Sequence, residues 1–350
     1  MRTKLLAAAS AVLAAGVTAT GLDVASASPS PSGPVVVASG LDNPRGLAWA
    51  GNGALLVAEA GRGGSGTCLP GIFTAQWCIG TSGAITQVKR NGQQRRIVDG
   101  LPSLADPITG GFAFGPSDVS ADHGRLYASV GGPADQLDRS AFSEPFASGL
   151  GTIQRVTGAR TRIVADLAAY ELANDPDQQL HESNAQSVLA TGGKLYAIDA
   201  AGNTFFRVKQ SGELNLLNIF DNRVANGVEY QAVPSALAKG PDGAIYISDL
   251  TGVPFPAGES KIWRWTPSGI AMFAEGFTSA VDLAFGPDGS LYVLEIFPGQ
   301  VIRVAPGGAR TVVADGLNFP GGLAIGRDGA VYVSDCGVCA GAGTVLRFAG

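Results

Sequence analysis

Charge is scarce in this chain. Only 15% of its 350 residues are Asp, Glu, Lys or Arg, and 29 acids outnumber 24 bases for a formal net charge of -5. A nucleic-acid backbone is gripped through a basic stripe, which this balance does not supply. The densest basic stretch, KRNGQQRR (residues 89–96), reads as two strand ends around an Asn-Gly turn. Histidine is scarcer still, with two residues: His123 in the turn ADHGRL and His181 in the loop QQLHESNAQ. No Ser-His-Asp triad can be drawn from them. Beyond the first 27 residues no run approaches the roughly 18 uninterrupted apolar residues of a membrane span, so none is expected in the mature chain.

The N-terminus reads as an address. Arg2 and Lys4 precede an Ala-rich apolar run over residues 5–19, and Ala25-Ser26-Ala27 is an A-x-A cleavage signal. This predicts a secretory signal peptide over residues 1–27, cleaved near Ala27, a flexible Ser/Pro lead-in over 28–34, and an extracellular mature protein. Outside the cell the four cysteines read as disulfides rather than redox or zinc groups. Cys68 and Cys78 bracket a loop that contains Trp77, and Cys336 and Cys339 form C-G-V-C. Four cysteines allow three connectivities, of which Cys68–Cys78 with Cys336–Cys339 is the simplest.

What the chain has in quantity is glycine, 50 residues, with 20 prolines: the composition of many short strands and tight turns. The turns repeat. FGPDGSLYVLE, ending at Glu295, is nearly copied by KGPDGAIYISD, ending at Asp249, and IGRDGAVYVSD, ending at Asp335. Fuller copies begin at Arg45, Ser117, Gln186, Ser235, Val281 and Gly321, each followed by a third run such as GTIQRV or GQVIRV. A fourth run is clearest as RIVDGL, RIVADL and TVVADGL. That is six copies of a four-stranded meander, each turning on N-G, H-G, G-G or D-G. Strands such as AIYI and LYVL are apolar on both parities, as strands covered on both faces are. Propeller blades are covered in that way. The sixth copy stops after three strands, and VVVASGL near the start matches the missing fourth. The expectation is an all-β protein: one six-bladed β-propeller over residues 35–350, built of four-stranded antiparallel blades and closed by the N-terminal strand.

In such a blade the inner hairpin turn faces the bottom, and the second loop and the inter-blade links face the top. Every long insertion falls at the top: 60–82, 131–150, 250–260 and 336–343, with long links at 101–114 and 168–183. Long loops in a compact domain are usually functional. The second strands end in Glu59, Asp199, Asp249, Glu295 and Asp335. Two readings stand. A carboxylate ring at the channel mouth would suit Ca²⁺, with Glu59, Asn184, Asp282 and Glu295 as metal ligands. The same residues would otherwise hydrogen-bond local loop backbone, alike in every blade. The candidate ligand-binding set at the top face is Glu59, Asn184, Asp249, Phe255, Asp282, Glu295 and Asp335. Phe73, Trp77, Phe112, Phe114, Phe142, Phe146, Phe255 and Phe297 either line an apolar pocket there or anchor the loops.

The segment VPSALAKGPDGAIYISDLTGVPFPAGESKIWRW, followed by AVDLAFGPDGSLYVLE, resembles the ScyD/ScyE family of secreted bacterial propeller proteins. ANDPDQQLHESNAQ and the opening GLDNPRGLAWAGNGALLVAEAG fit the same pattern, so nearly all the mature chain is covered. Asp249 stands where that pattern has Glu, and NAQSV departs from an Asn-Pro-Tyr-Gly-like run. The single repeats are similar to NHL repeats, whose Y-V-x-D element carries the same acid. The resemblance implies an exported six-bladed propeller without implying a mechanism. The functional expectation is a monomer that binds an extracellular protein, glycan or small molecule through its top-face loops. The second expectation, by analogy with gluconolactonase-like and paraoxonase-like propellers, is a Ca²⁺-dependent hydrolase or lactonase. Quinone-dependent sugar oxidation would want a histidine over the channel, and His123 belongs to a bottom turn.

Overall fold

The computed structural model describes residues 25–26, 33–71, 74–132 and 139–350. The signal segment, apart from Ala25 and Ser26, most of the lead-in, and Phe73 lie outside the described residues.

The strands form six blades in chain order. Blade one is Pro44–Trp49, Leu55–Glu59, Gln76–Val88 and Gln94–Ala105, with Cys68–Pro70 added beside its third strand. Blade two is Pro116–Asp122, Arg125–Val130, Thr152–Thr157 and Arg160–Asp166. Blade three is Ala185–Thr191, Lys194–Asp199, Thr204–Val208 and Leu214–Ile219. Blade four is Pro234–Lys239, Ile245–Asp249, Ser260–Thr266 and Gly269–Phe277. Blade five is Ala280–Phe285, Leu291–Glu295, Gln300–Val304 and Arg310–Ala314. Blade six is Gly322–Ile325, Val331–Asp335 and Gly343–Phe348, and its outer strand is the N-terminal Val35–Leu41, antiparallel to the last strand of the chain. The ring therefore closes on a strand from the opposite end of the chain, which leaves no open face. Ala25 and Ser26 pair in parallel with Thr311 and Val312 at the outer edge of blade five.

Second strands are buried along their whole length in blades one, four and five. Neighbouring blades share their apolar residues. Leu56, Ala58 and Val119 pack between blades one and two; Ile198, Phe205 and Ile247 between three and four; Val293, Phe277 and Ile262 between four and five. At about 25 cal/mol per Å² of apolar surface buried, these interfaces are the main source of stability.

The bottom turns carry a second device. In blades four to six the turn aspartates Asp242, Asp288 and Asp328 accept from the backbone N–H two residues on. Each also pairs with the arginine of the third strand, Arg264, Arg303 or Arg347, at 2.7–2.8 Å. Arg303, first among several donors, holds Asp288 down to about 2. In each of the three blades that turn on D-G, the turn Asp and the third-strand Arg meet.

The top carries the irregular elements. Helix α1 (Leu167–Asn174), capped by the Asp166 carboxylate accepting from the Ala169 N–H, joins blades two and three. A hairpin of Arg223–Ala225 and Val228–Tyr230 joins blades three and four. Cys68–Cys78 and Cys336–Cys339 form disulfides. No helix among the described residues is long and apolar enough to cross a membrane.

Candidate functional site at the channel mouth

The second-strand carboxylates are occupied, each by its own surroundings. Glu59 accepts the Asp42 N–H at 2.8 Å, the Thr86 hydroxyl and two N–H groups of Arg96. Asp199 accepts the Asn184 N–H at 2.7 Å, the Ser183 hydroxyl and the Gly202 N–H. Glu295 accepts the Thr278 N–H and the Gln300 amide, and Asp335 accepts the Asn318 N–H at 2.7 Å. In blades one, five and six the donated N–H lies 17 residues before the acid. Each carboxylate ties the link entering its blade to the second strand. Burial pushes Asp199, Glu295 and Asp335 up against the pull of these donors. Asp249 departs from the pattern. It takes two bonds from Arg223 of the inserted hairpin, at 2.7 and 3.1 Å, with others from the Lys261 N–H and the Trp263 indole.

The four residues put forward as calcium ligands are not brought together. Glu59 and Glu295 spend both oxygens inside blades one and five. Asn184 accepts from the Gly132 N–H and donates to Gln186. Among the described residues, the one group of three or more acidic, His or Cys side chains with ligand atoms within 4.8 Å is Glu171, Asp175 and Asp177, in the link between blades two and three.

Asp282 lies in the channel wall, and so does Asp118, which sequence reasoning passed over. Each is the third residue of its inner strand, just past a bulge at the second. The other blades have Gly46, Ser187, Ala236 and Gly322 at this level. Asp118 accepts from the Ser187 hydroxyl and the Val188 N–H of blade three. Asp282 accepts from the Leu323 N–H of blade six. The two aspartates stand three blades apart on opposite walls. Burial raises Asp118 to about 6; burial, with the charge of Asp118 added, raises Asp282 well above the ordinary value. Gly46 is required here: a Cβ would sit 2.8 Å from the Asp118 Cα.

Arg45 is the second residue of the inner strand of blade one, at the top end of that strand. Its Nη2 donates to the Ala113 carbonyl at 3.0 Å, and Gly321 and Gly337 pack beside it. Burial lowers it to about 10, and among the described residues it ion-pairs with no carboxylate. Around this mouth the aromatics divide. Trp77, Phe114, Phe142 and Phe146 join a closed cluster with Ile79 and Leu104 that anchors the loops of blades one and two. Phe255, Phe297 and Phe319 run edge to face, with centroids 4.9 and 6.1 Å apart, across the tops of blades four to six. Phe297, Phe319 and Phe112 are exposed. Phe112, Phe255 and Phe319 all have positive φ, a strained choice for bulky residues. Phe319 was not singled out from sequence; its place just before the inner strand of blade six was the available signal. A groove of about 660 Å³ lined by Arg95, Arg96, Arg125 and Arg155 lies on the flank between blades one and two, away from this mouth.

No protein-family model and no curated protein matches the chain. Similar solved structures share the six-bladed fold at low identity. A Bacteroides thetaiotaomicron protein of unknown function is 13% identical, covering 90% of this chain and 72% of its own, with TM-score 0.56. A proposed glucose dehydrogenase of Thermus thermophilus is 18% identical, covering 90% and 98%, with TM-score 0.55. A gluconolactonase from Xanthomonas campestris is 12% identical, covering 90% and 89%, with TM-score 0.52. At these identities the likeness is one of fold.

Proposed function

We propose that this is an exported, ScyD/ScyE-like propeller that binds an extracellular small molecule at the channel mouth. The ligand would carry one anionic group for Arg45 and an apolar face for Phe255, Phe297 and Phe319. The observation that carries this reading is Arg45 itself, a partly buried guanidinium that ion-pairs with no carboxylate among the described residues and lies beside Gly337, which also abuts the Phe319 carbonyl. A planar five-donor fork suits a carboxylate, and charge-assisted bonds are the strong ones. The sequence supports the family and the export: the LTGVPFP segment for the first, the A-x-A site and two disulfides for the second.

The test is calorimetric titration with paired aromatic carboxylates, uronates and their neutral amides. Carboxylates should bind at least about tenfold tighter than the amides, and Arg45→Gln should erase that difference. Equal binding of both forms, in wild type and variant alike, would remove the anionic subsite. Lactone hydrolysis that requires Ca²⁺ and is lost in Asp282→Asn would replace the binding reading with the hydrolase one.

A further inference from the structure

The link between blades two and three holds an acidic cluster apart from the channel mouth, in which Asp177 accepts from the Gln179 N–H and the Asn203 amide while the Glu171 carboxylate accepts from nothing. Glu171, on the last turns of α1, is 2% exposed, and neither of its carboxylate oxygens has a hydrogen-bond partner. Asp175 Oδ1 is buried and unpartnered as well. Asp175 and Asp177 bring ligand oxygens to within 4.8 Å of one another and of Glu171. Gly202 walls the other side, where a Cβ would lie 2.7 Å from Glu171 Oε2 and 3.4 Å from the carboxylate carbon of Asp199. Burial comes first, and the charges of Asp199, Asp177, Asp175 and Glu182 follow, in raising Glu171 to about 8. Among the described residues no Lys or Arg ion-pairs with the three. The basic neighbour is His181, whose Nε2 is 3.5 Å from Asp175 Oδ2. The contrast with the second-strand acids is complete: those have donors on their oxygens, and Glu171 has none.

A buried carboxylate without donors is costly unless a cation meets it. We infer that Glu171, Asp175 and Asp177 bind a Ca²⁺ ion that fastens the blade two–three link to the top of blade three. The donors are all carboxylate oxygens, which select a hard cation over a transition metal. Ca²⁺ takes oxygens at about 2.3–2.6 Å in irregular geometry, so two of its ligands can stand up to about 5 Å apart. Mg²⁺ keeps several waters in a tight octahedron of about 2.1 Å, which suits a buried, Gly202-walled pocket less well. The carbonyl end of α1 adds negative potential at the same place. This site is separate from the channel, where Asp282 and Asp118 lie.

The experiment uses the purified protein stripped with EGTA, followed by thermal unfolding and Tb³⁺ luminescence, for which Tyr170 beside Glu171 is the sensitiser. Ca²⁺ at about 1 mM should raise the Tm by several degrees and displace Tb³⁺, and Mg²⁺ should do neither. Glu171→Gln should abolish the Tb³⁺ signal and the Ca²⁺ shift. Its metal-free Tm should equal or exceed that of metal-free wild type, because the substitution removes a buried carboxyl without donors, whose ionisation the fold opposes. Asp175→Asn should weaken Ca²⁺ binding at least about tenfold. The inference is overturned by a wild type unresponsive to about 10 mM Ca²⁺, by an equal response in Glu171→Gln, or by an equal effect of Mg²⁺. A fall in the metal-free Tm of Glu171→Gln would also overturn it, by making Glu171 an internal brace.

Discussion

Asp118 and Asp282 show what an inner-strand carboxylate does in a ring whose blades share no backbone ladder. Each reaches to the next blade and accepts an N–H from its inner strand. The cost appears as a raised proton affinity, and its sign can be tested. Unfolded Asp titrates near 3.9, whereas Asp118 titrates at about 6 in the fold. The folded state therefore holds this proton more tightly. That contribution is fully present below about pH 4 and is lost as pH rises through about 6. It amounts to roughly 2–3 kcal/mol by the usual 1.4 kcal/mol per pK unit. Urea unfolding of wild type and Asp118→Asn at pH 4 and pH 7 should show the variant losing less stability on going to the higher pH. An identical pH response in both proteins would contradict this.

At the scale of elements, the regular strands were legible and the insertions were not. A both-faces-apolar run between D-G turns can be read without knowing its neighbours, and the closing VVVASGL strand matched its copies in sequence. The hairpin at 223–230 carried its own signal, an Asn-Gly between alternating residues, with positive φ at Asn226 and Gly227. It lies between two copies of the repeat, where the repeat itself places no strand. Its Arg223 then takes Asp249, a partnership 26 residues apart that no local pattern reveals. Part of the blade-one insertion expected over 60–82 is strand, because the disulfide-bearing segment extends the third strand back to Gln76. The Asp249–Arg223 pair has a fully buried carboxylate. Arg223→Ala should cost about 3 kcal/mol, much of it from stranding Asp249, and Asp249→Asn in the same chain should recover part of the loss. Additive losses in a double-mutant cycle would argue against direct coupling.

For the whole molecule, the repeat gives its recurring charges structural work. Turn aspartates meet third-strand arginines at the bottom, second-strand acids hold the entering links at the top, and apolar clusters fill the gaps between blades. Chemistry for a ligand is left to groups outside this scheme, Arg45 foremost, together with the exposed rings over the mouth. Arg45 was not legible as a site from sequence, because its isolation depends on which residues surround it in the ring. The division between braces and site predicts opposite behaviour on substitution, and parallel thermal unfolding of Glu59→Ala, Asp335→Ala, Glu295→Ala and Arg45→Gln measures it directly. The three acid variants should unfold about 2–5 °C below wild type, as expected when buried N–H groups lose their acceptors. Arg45→Gln should match or exceed wild type while losing preference for carboxylate ligands. Acid variants as stable as wild type, or an Arg45→Gln protein destabilised as much as they are, would contradict the account.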